Sequence, residues 1–348
     1  MKIQSLYQTF NRYRTLQTDK ITSLPIVILM PHSSCNCRCV MCDIWKGNHN
    51  LRQLEEADIR GLLNSFKRFD TKKVVMSGGE ALLHPGFFRF CEILKQKKIK
   101  ISLLSTGLTI RKHAQSIVEW VDDLIISLDG DQLLHDQIRN IPGAFDKLAG
   151  GIQSIRNISP DFPVSGRTVI QRLNFRNWVE IIESAKDIGL DSISFLPADI
   201  SSQAFNREKP WDAERQDEIC LSENDLEDLK QILADIFDRF PTEFQTHFIA
   251  ESPTKLQKIY DYYAARYGRN DFPYKKCNAP WVSTVIEADG TIRPCFFHKS
   301  LGNLKTESLE SIINSENAIS FRKNLDMKND PTCRKCVCYL NLSPSTKI

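Results

Sequence analysis

Residues 25–42 read Pro25-Ile26-Val27-Ile28-Leu29-Met30-Pro31-His32-Ser33-Ser34-Cys35-Asn36-Cys37-Arg38-Cys39-Val40-Met41-Cys42. The apolar run between the two prolines is too short for a membrane helix and reads as a buried strand. Four cysteines follow it directly. Thiolates suit zinc or iron–sulfur clusters, because soft metals prefer soft ligands. Cys35, Cys39 and Cys42 stand in CxxxCxxC spacing, unlike the paired CxxC of an ordinary zinc site. Three ligands would leave one iron of a four-iron cluster without protein ligation, an open place to bind and activate a small molecule. A structural zinc site in the same loop is the alternative. Cys37 reads as a bystander.

Outward from this loop the chain alternates. Strand patterns at 26–30, 73–76, 100–105, 123–128, 164–170 and 192–196 are separated by helical ones. Ile59, Leu62, Leu63 and Phe66 recur at i, i+3, i+4 and i+7, and Phe87, Phe90, Cys91 and Leu94 repeat that spacing. Six short apolar strands alternating with helices predict an α/β fold with a parallel sheet and right-handed crossovers, a partial (β/α)6 TIM-like barrel. Active sites of such folds collect in the loops after the strands' C-terminal ends, and the cysteine loop is the first of these.

The alternation stops near Ala198. Residues 201–276 are charged and helical in pattern. Ser222 with Asp225 reads as a helix N-cap with an acidic N3 residue, ahead of an apolar stripe at Leu226, Leu229, Leu233, Ile236 and Phe240. Cysteines return in 277–340, where Asp289-Gly290 between Val285-Ile286 and Ile292 signals a hairpin turn. The expected organisation is an N-terminal extension at 1–24, a core barrel at 25–200, a helical linker or insert at 201–276 and a small cysteine-rich domain at 277–340.

Composition narrows the function classes. With 348 residues and 41% hydrophobic content, the chain can bury a large core, or one full domain plus a small one. A net charge of +3 argues against a general nucleic-acid binder. No stretch spans a bilayer and no secretory signal opens the chain, so a cytoplasmic protein is expected. In that reducing compartment eleven cysteines are metal ligands or core thiols rather than disulfides. Cys91, on an apolar helix face, reads as a core thiol; Cys220 sits in a polar loop with no partner pattern.

Cys35-x3-Cys39-x2-Cys42 after an N-terminal strand resembles the signature of the radical SAM superfamily. In that family the open iron binds the amino and carboxylate groups of S-adenosylmethionine (SAM). One electron cleaves the C–S bond, and the 5′-deoxyadenosyl radical released abstracts a hydrogen from the substrate. The residue before the third cysteine is often aromatic there; Met41 stands here, and its thioether can still pack on adenine. Val74-Val75-Met76-Ser77-Gly78-Gly79-Glu80 resembles the family's "GGE" segment. Gly78 and Gly79 would let backbone approach a ligand closely, and the resemblance implies that Glu80 holds the methionyl amino group. An ordinary strand-to-helix turn is the plainer reading. Leu103-Leu104-Ser105-Thr106-Gly107 resembles the "STNG" turn with its Asn missing, which implies a cofactor contact at Ser105. Ile125-Ile126-Ser127-Leu128-Asp129-Gly130 followed by His135-Asp136-Gln137-Ile138-Arg139 resembles the "SLDG…HDxxR" stretch of the branch with auxiliary clusters. That implies Ser127 and Asp129 facing the SAM ribose or carboxylate, with Arg139 pairing a carboxylate bidentately. The alternative is that Arg139 and Asp136 bond each other or cap a helix. Gln171 and Asn174 are further candidates for polar contacts to SAM, and Leu196 for packing on adenine.

Cys277-x17-Cys295 and Cys333-x2-Cys336-x-Cys338 form the second group. Gly290-Thr291-Ile292-Arg293-Pro294-Cys295 fits a Gly-x4-Cys element, and the hairpin would bring Cys277 and Cys295 together. This resembles the SPASM domain and its shortened "twitch" form. With fewer cysteines than a full SPASM pattern, one auxiliary [4Fe–4S] cluster is implied, on Cys277, Cys295, Cys333 and Cys336; Cys338 is a spare thiol or an alternative ligand. Zinc competes here, since two separated cysteine pairs are normal zinc-ribbon ligands.

The resemblance implies a radical SAM oxidoreductase that abstracts a C–H hydrogen and passes an electron to the auxiliary cluster, giving dehydrogenation or a cross-link. Either outcome needs a base. Phe296, Phe297 and His298 follow Cys295 where some relatives carry an acidic residue, so His298 is the candidate base, with a surface or supporting role as its alternative. Other readings are a radical SAM methyltransferase or lyase with a redox-silent auxiliary cluster, and a regulatory protein with two zinc sites. About 25 residues precede the first strand, too few for the peptide-binding domain of many peptide-modifying relatives. The expected substrate is therefore a small molecule such as a sugar, aminocyclitol or nucleoside, or a peptide delivered by a partner. Segment 201–276 is expected to help form the substrate entrance, with Trp211, Tyr260, Tyr262 and Tyr263 as packing residues. The implied electron donor is a flavodoxin- or ferredoxin-type protein.

Overall fold

In the computed structural model, which describes residues 6–207 and 209–348, six parallel strands realise the alternation. They are β1 (Ile26–Leu29), β2 (Lys73–Met76), β3 (Lys100–Ser105), β4 (Asp123–Ser127), β5 (Val164–Ile170) and β6 (Ser192–Pro197), side by side in sequence order. Each lies within one residue of its expected bounds. Helices Glu56–Arg68, Phe87–Lys95, Ile110–Trp120, Ala144–Ile158 and Trp178–Asp187 run between them, as a partial (β/α)6 barrel requires.

Alternation along each strand separates two environments. Val27, Leu29, Val74, Met76, Leu124 and Ile126 are fully buried in one core with the apolar stripes of the helices. Their neighbours, among them Ile28, Val75, Ile125 and Ser127, are half-buried on the opposite face. That second face is polar: Lys73 pairs with Asp123 at 3.2 Å, and Ser102 Oγ donates to Asp123 at 2.6 Å.

The cysteine-rich segment is joined to this sheet. β7 (Ser283–Ile286) pairs in parallel with β1, Ile26 opposite Ser283. β8 (Thr291–Arg293) and β9 (Gly302–Asn303) follow antiparallel, so nine strands form one sheet. The Asp289-Gly290 turn links β7 to β8; Gly290 has φ +87°, and Asp289 Oδ1 accepts from Thr291 N at 3.0 Å. The physical reason is the edge: an open barrel leaves β1 unpaired on one side, and β7 satisfies its backbone groups.

Residues 201–276 contain helices Ala213–Ile219, Asp225–Arg239 and Pro253–Arg266. The second starts at Asp225 with Asn224 as its N-cap, two residues later than the cap reading places it, and the Asp225 carboxylate turns back to accept from Ser222 N at 2.8 Å and Ser222 Oγ at 2.7 Å. Its stripe from Leu226 to Phe240 is buried as expected. Cys220, expected in a polar loop, is 1% exposed, and burial pushes its thiol up to about 11. Among the described residues no helix is long and apolar enough to cross a membrane.

Tyr263 locks the third of these helices to the barrel. Its hydroxyl donates to Ile170 O at 2.5 Å and accepts from Ala198 N at 3.1 Å, so one buried side chain ties the ends of β5 and β6. Tyr263→Phe leaves both backbone groups unsatisfied in the core. The expected loss of stability is about 1–3 kcal/mol, read as a lower urea midpoint at unchanged slope.

Candidate functional site

The cysteine loop leaves β1 and crosses the C-terminal ends of the strands, held from both sides. Asn48 brackets Cys35, its Oδ1 accepting from Cys35 N at 3.0 Å and its Nδ2 donating to Cys35 O at 2.9 Å. Arg38 N and Val40 N donate to Arg139 O and Ile138 O, both at 3.0 Å. Inside the loop the Cys37 thiol is hydrogen-bonded to Cys35 and Cys39. Cys37, read as a bystander, lies between two expected ligands, its backbone N 3.5 Å from Cys35 Sγ. The Cys37 hydrogen bond, helped by Arg139, brings Cys39 down to about 6 against the cost of burial; burial pushes Cys42 up to about 12. A metal binds these sulfurs as thiolates, so its binding would release the protons that the thiols carry.

The glycines after β2 serve this loop. A Cβ on Gly79 would stand 2.2 Å from Ser34 O and 3.0 Å from Cys35 Cβ. Gly78 has φ +116°, and a Cβ there would lie 3.1 Å from His32 O. Glu80 N donates to Ser34 O at 2.9 Å. The close approach read from Gly78-Gly79 is therefore to the cysteine loop's own backbone.

Glu80 is fully buried. Its carboxylate accepts from Thr106 N and Thr106 Oγ1, both at 2.7 Å, from Ser105 Oγ at 3.0 Å and from Leu82 N at 3.2 Å. Burial raises its proton affinity, and these donors counter it. Glu80 and Ser105, expected on the cofactor, join the turn after β2 to the turn after β3, and the donors gathered there offset the cost of burying a carboxylate.

Asp129, also fully buried, pairs with Arg139 and accepts from Val169 N at 3.1 Å. Arg139 Nη1 then donates to Cys39 Sγ at 3.4 Å. Of the two readings of Arg139, pairing with Asp136 is not realised. Asp136 accepts from Gly143 N at 2.5 Å and Phe145 N at 2.9 Å and so caps helix Ala144–Ile158. His135 Nδ1 accepts from Asp129 N at 3.2 Å, and burial beside Arg139 brings the imidazole down to about 3, keeping it neutral.

Asn174 is used up structurally: its Nδ2 donates to Asp129 O and Val169 O, and its Oδ1 accepts from Gln171 N. Gln171 differs, for its side-chain Nε2 and Oε1 are buried and unpartnered. Arg139 Nε and Asn36 Nδ2 are in the same state. Ser127 and Leu196 are half-buried on the polar face of the sheet.

At the other end, Cys277, Cys295, Cys333, Cys336 and Cys338 influence one another. Burial, with Cys277 and Cys338 adding, pushes Cys295 up to about 11. Burial and Cys338 raise Cys336, and burial and Asp330 raise Cys333. Asp330 caps helix Pro331–Lys335 by accepting from Thr332 N and Cys333 N. His298 Nε2 lies 3.3 Å from Cys333 Sγ. His298, Asp330 and Cys333 offer three ligand atoms within 4.8 Å of one another. His298 thus stands at an expected cluster ligand.

Comparison with known proteins decides the family. Residues 29–198 match the radical SAM superfamily, and residues 277–337 match SPASM, an iron-sulfur cluster-binding domain. The chain belongs to the radical SAM superfamily. Its membership implies iron–sulfur clusters in both regions. The donor sets fit that implication: three thiols converge in one loop, unpaired buried polar atoms surround it, and a second set of thiols gathers at the C-terminal end.

Among the relatives of this radical SAM protein is the antilisterial bacteriocin subtilosin biosynthesis protein AlbA of Bacillus subtilis, 25% identical over 293 residues, 81% of this chain and 57% of AlbA. The AdoMet-dependent heme synthase of Methanosarcina barkeri is 26% identical over 164 residues, 45% of this chain and 46% of that protein. The chain spans about half the length of these curated relatives. Two solved structures share the fold. Streptococcus suis SuiB bound to precursor peptide SuiA has a TM-score of 0.62 at 14% identity, covering 99% of this chain and 80% of SuiB. Native anSMEcpe with bound AdoMet has a TM-score of 0.64 at 17% identity, covering 89% and 87%.

One part of the radical SAM site escaped the sequence reading. Trp211 Nε1 donates to Asp43 Oδ2 at 2.6 Å, directly after Cys42, and Arg207 stacks 3.7 Å over the Trp211 ring while pairing with buried Asp199 at 2.9 Å. Arg215 donates to Val40 O. Segment 201–276 thus clasps the cysteine loop. An aromatic residue flanked by arginines in a charged segment was the available signal, but no spacing links it to a loop 168 residues away.

Proposed function

We propose that this chain is a radical SAM oxidoreductase acting on a peptide or a small molecule. The observation that carries the reading is the CxxxCxxC loop held over the strand ends, with Cys39 bonded to the buried Arg139–Asp129 pair. Cys35, Cys39 and Cys42 hold the SAM-binding [4Fe–4S] cluster; Cys277, Cys295, Cys333 and Cys336 hold the auxiliary one. When bound, these groups supply the electron that cleaves SAM to a 5′-deoxyadenosyl radical and an acceptor for the electron of a substrate radical.

The protein's own residues orient and enclose. Gly78 and Gly79 allow the loop to seat; Glu80 and Ser105 brace the turns beneath it. Gln171, with both amide atoms unpaired, contacts SAM, and Ser127 and Leu196 line the lumen beside it. His298, 3.3 Å from Cys333, supports a role as hydrogen-bond partner to that ligand ahead of a role as base. Relatives support both substrate classes, since SuiB is bound to a precursor peptide and another relative is a heme synthase. We place the chain in the cytoplasm, where the ligand thiols stay reduced, with a flavodoxin- or ferredoxin-type donor.

Anaerobically reconstituted protein is expected to hold about eight irons per chain. It is expected to release 5′-deoxyadenosine from SAM under a strong reductant. Cys333→Ala with Cys336→Ala is expected to leave about four irons and retain SAM cleavage. Zinc in place of iron, or no 5′-deoxyadenosine, overturns the assignment.

A further inference from the structure

On the open face of the sheet the register sets Ser127 opposite Arg167 and Arg167 opposite Ser194, one row across β4, β5 and β6. Arg167 Nε donates to Ser194 Oγ at 3.3 Å. Its two terminal nitrogens make no hydrogen bond to a described residue. From this row a pocket runs past Leu196 to Lys255, Lys258, Lys275 and Tyr339. Lys258 Nζ donates to Tyr274 O at 3.1 Å, Lys275 Nζ to Cys336 O at 2.5 Å, and Lys255 lies 5.2 Å from the Tyr339 ring.

None of these four cations forms an ion pair with a described carboxylate. The pocket's own acid, Glu251, accepts instead from Phe195 N at 3.0 Å. Elsewhere the chain pairs its lysines readily: Lys95 with Asp122 at 2.8 Å, Lys186 with Glu243 at 2.9 Å and Lys305 with Asp58 at 2.6 Å. Glu251 sits within electrostatic reach of Lys255 and Arg167, and Asp261 within reach of Lys258, but four cations against the pocket's one carboxylate leave an excess of positive charge. The cations focus a positive potential into the pocket, which an anion relieves. The Arg167 fork presents two free donor nitrogens, the geometry that takes a carboxylate or a phosphate.

We propose that this pocket binds an oxyanion of the substrate, a carboxylate or a phosphate, with Arg167 as its anchor and Lys255 and Lys258 as specificity-determining residues. The pocket begins beside Ser127 and ends at the Cys336–Tyr339 segment. A substrate anchored at Arg167 would lie between the two cysteine groups. That placement rests on the radical SAM reading; the anion binding does not. Lys275, already bonded to the Cys336 carbonyl, serves the cysteine group rather than the anion.

The test uses the full reconstituted chain with SAM, in equilibrium dialysis against radiolabelled inorganic phosphate and, separately, radiolabelled glutarate. At least one is expected to bind saturably at a single site, the preferred probe distinguishing a phosphorylated from a carboxylated substrate. Arg167→Gln is expected to weaken that binding about tenfold, and Lys255→Gln, an exposed position whose exchange spares the fold, about threefold. Iron content is expected to stay unchanged in both. Failure of both probes to bind the unaltered chain, or equal binding by both variants, overturns the proposal. Loss of iron in both variants also overturns it, because the cations would then belong to the cysteine group. If the anion binds but no 5′-deoxyadenosine forms, the radical SAM chemistry fails and the pocket stands.

Discussion

Gly79→Ala is expected to cut 5′-deoxyadenosine formation at least about a hundredfold while the protein stays folded, because misplacing a reacting centre by about 1 Å costs that much. The added methyl would stand 2.2 Å from Ser34 O and 2.6 Å from Ser34 C. Both are backbone atoms, so no rotamer change makes room. The loop cannot retreat, because Asn48 brackets Cys35 and the 138–139 backbone holds residues 38 and 40. Relieving the clash therefore means breaking that bracket and shifting Ser34 and Cys35, whose Cβ would lie 3.0 Å from the new methyl. Chromatographic quantitation of 5′-deoxyadenosine, with far-UV circular dichroism as the folding check, reads the effect. Gly78→Ala is the internal comparison: its cost comes from φ +116° and from a 3.1 Å approach, so it is expected to be milder. An unchanged rate for Gly79→Ala would show that the loop does not seat on that turn.

Arg139→Leu carries the largest expected loss of stability. Asp129 is fully buried and the Arg139 side chain is 7% exposed. Removing the guanidinium strands a carboxylate whose other side-chain contact is Val169 N, and breaking such a pair costs about 3–5 kcal/mol. It also takes a donor from Cys39. Urea denaturation of the metal-free chain isolates the stability effect from cluster loss. The double variant Asp129→Leu with Arg139→Leu is expected to recover part of the loss, since it buries no unpaired charge. A single variant as stable as the unaltered chain would mean that the pair is not buried together in solution.

These two predictions separate what local pattern carries from what it does not. Strand positions were legible to within a residue, because burial on one face imposes an alternation that each strand records by itself. The first cysteine group was legible because its ligand spacing lies within one loop; the second was legible through two local elements, the Gly-x4-Cys hairpin and the CxxC, and through the family resemblance. The donors around Glu80 were not legible, since a carboxylate shows its type in sequence but not which groups the fold will bring to it. Arg139 offered Asp136, three residues away, and took Asp129 across a turn instead, once Asp136 was needed to cap the next helix. His298 carried the chemistry of a base, and the fold set it on Cys333.

By itself the sequence determined the alternating α/β architecture, the CxxxCxxC loop and the hairpin at Asp289-Gly290, since each depends on residues close in the chain. The tertiary structure alone decided that β7 would close the edge of β1, that Trp211 would clasp Asp43 and that Arg167, Lys255 and Lys275 would face one pocket. Those partners lie tens to hundreds of residues apart. They meet only because burying one face of the sheet brings distant segments to the same strand ends.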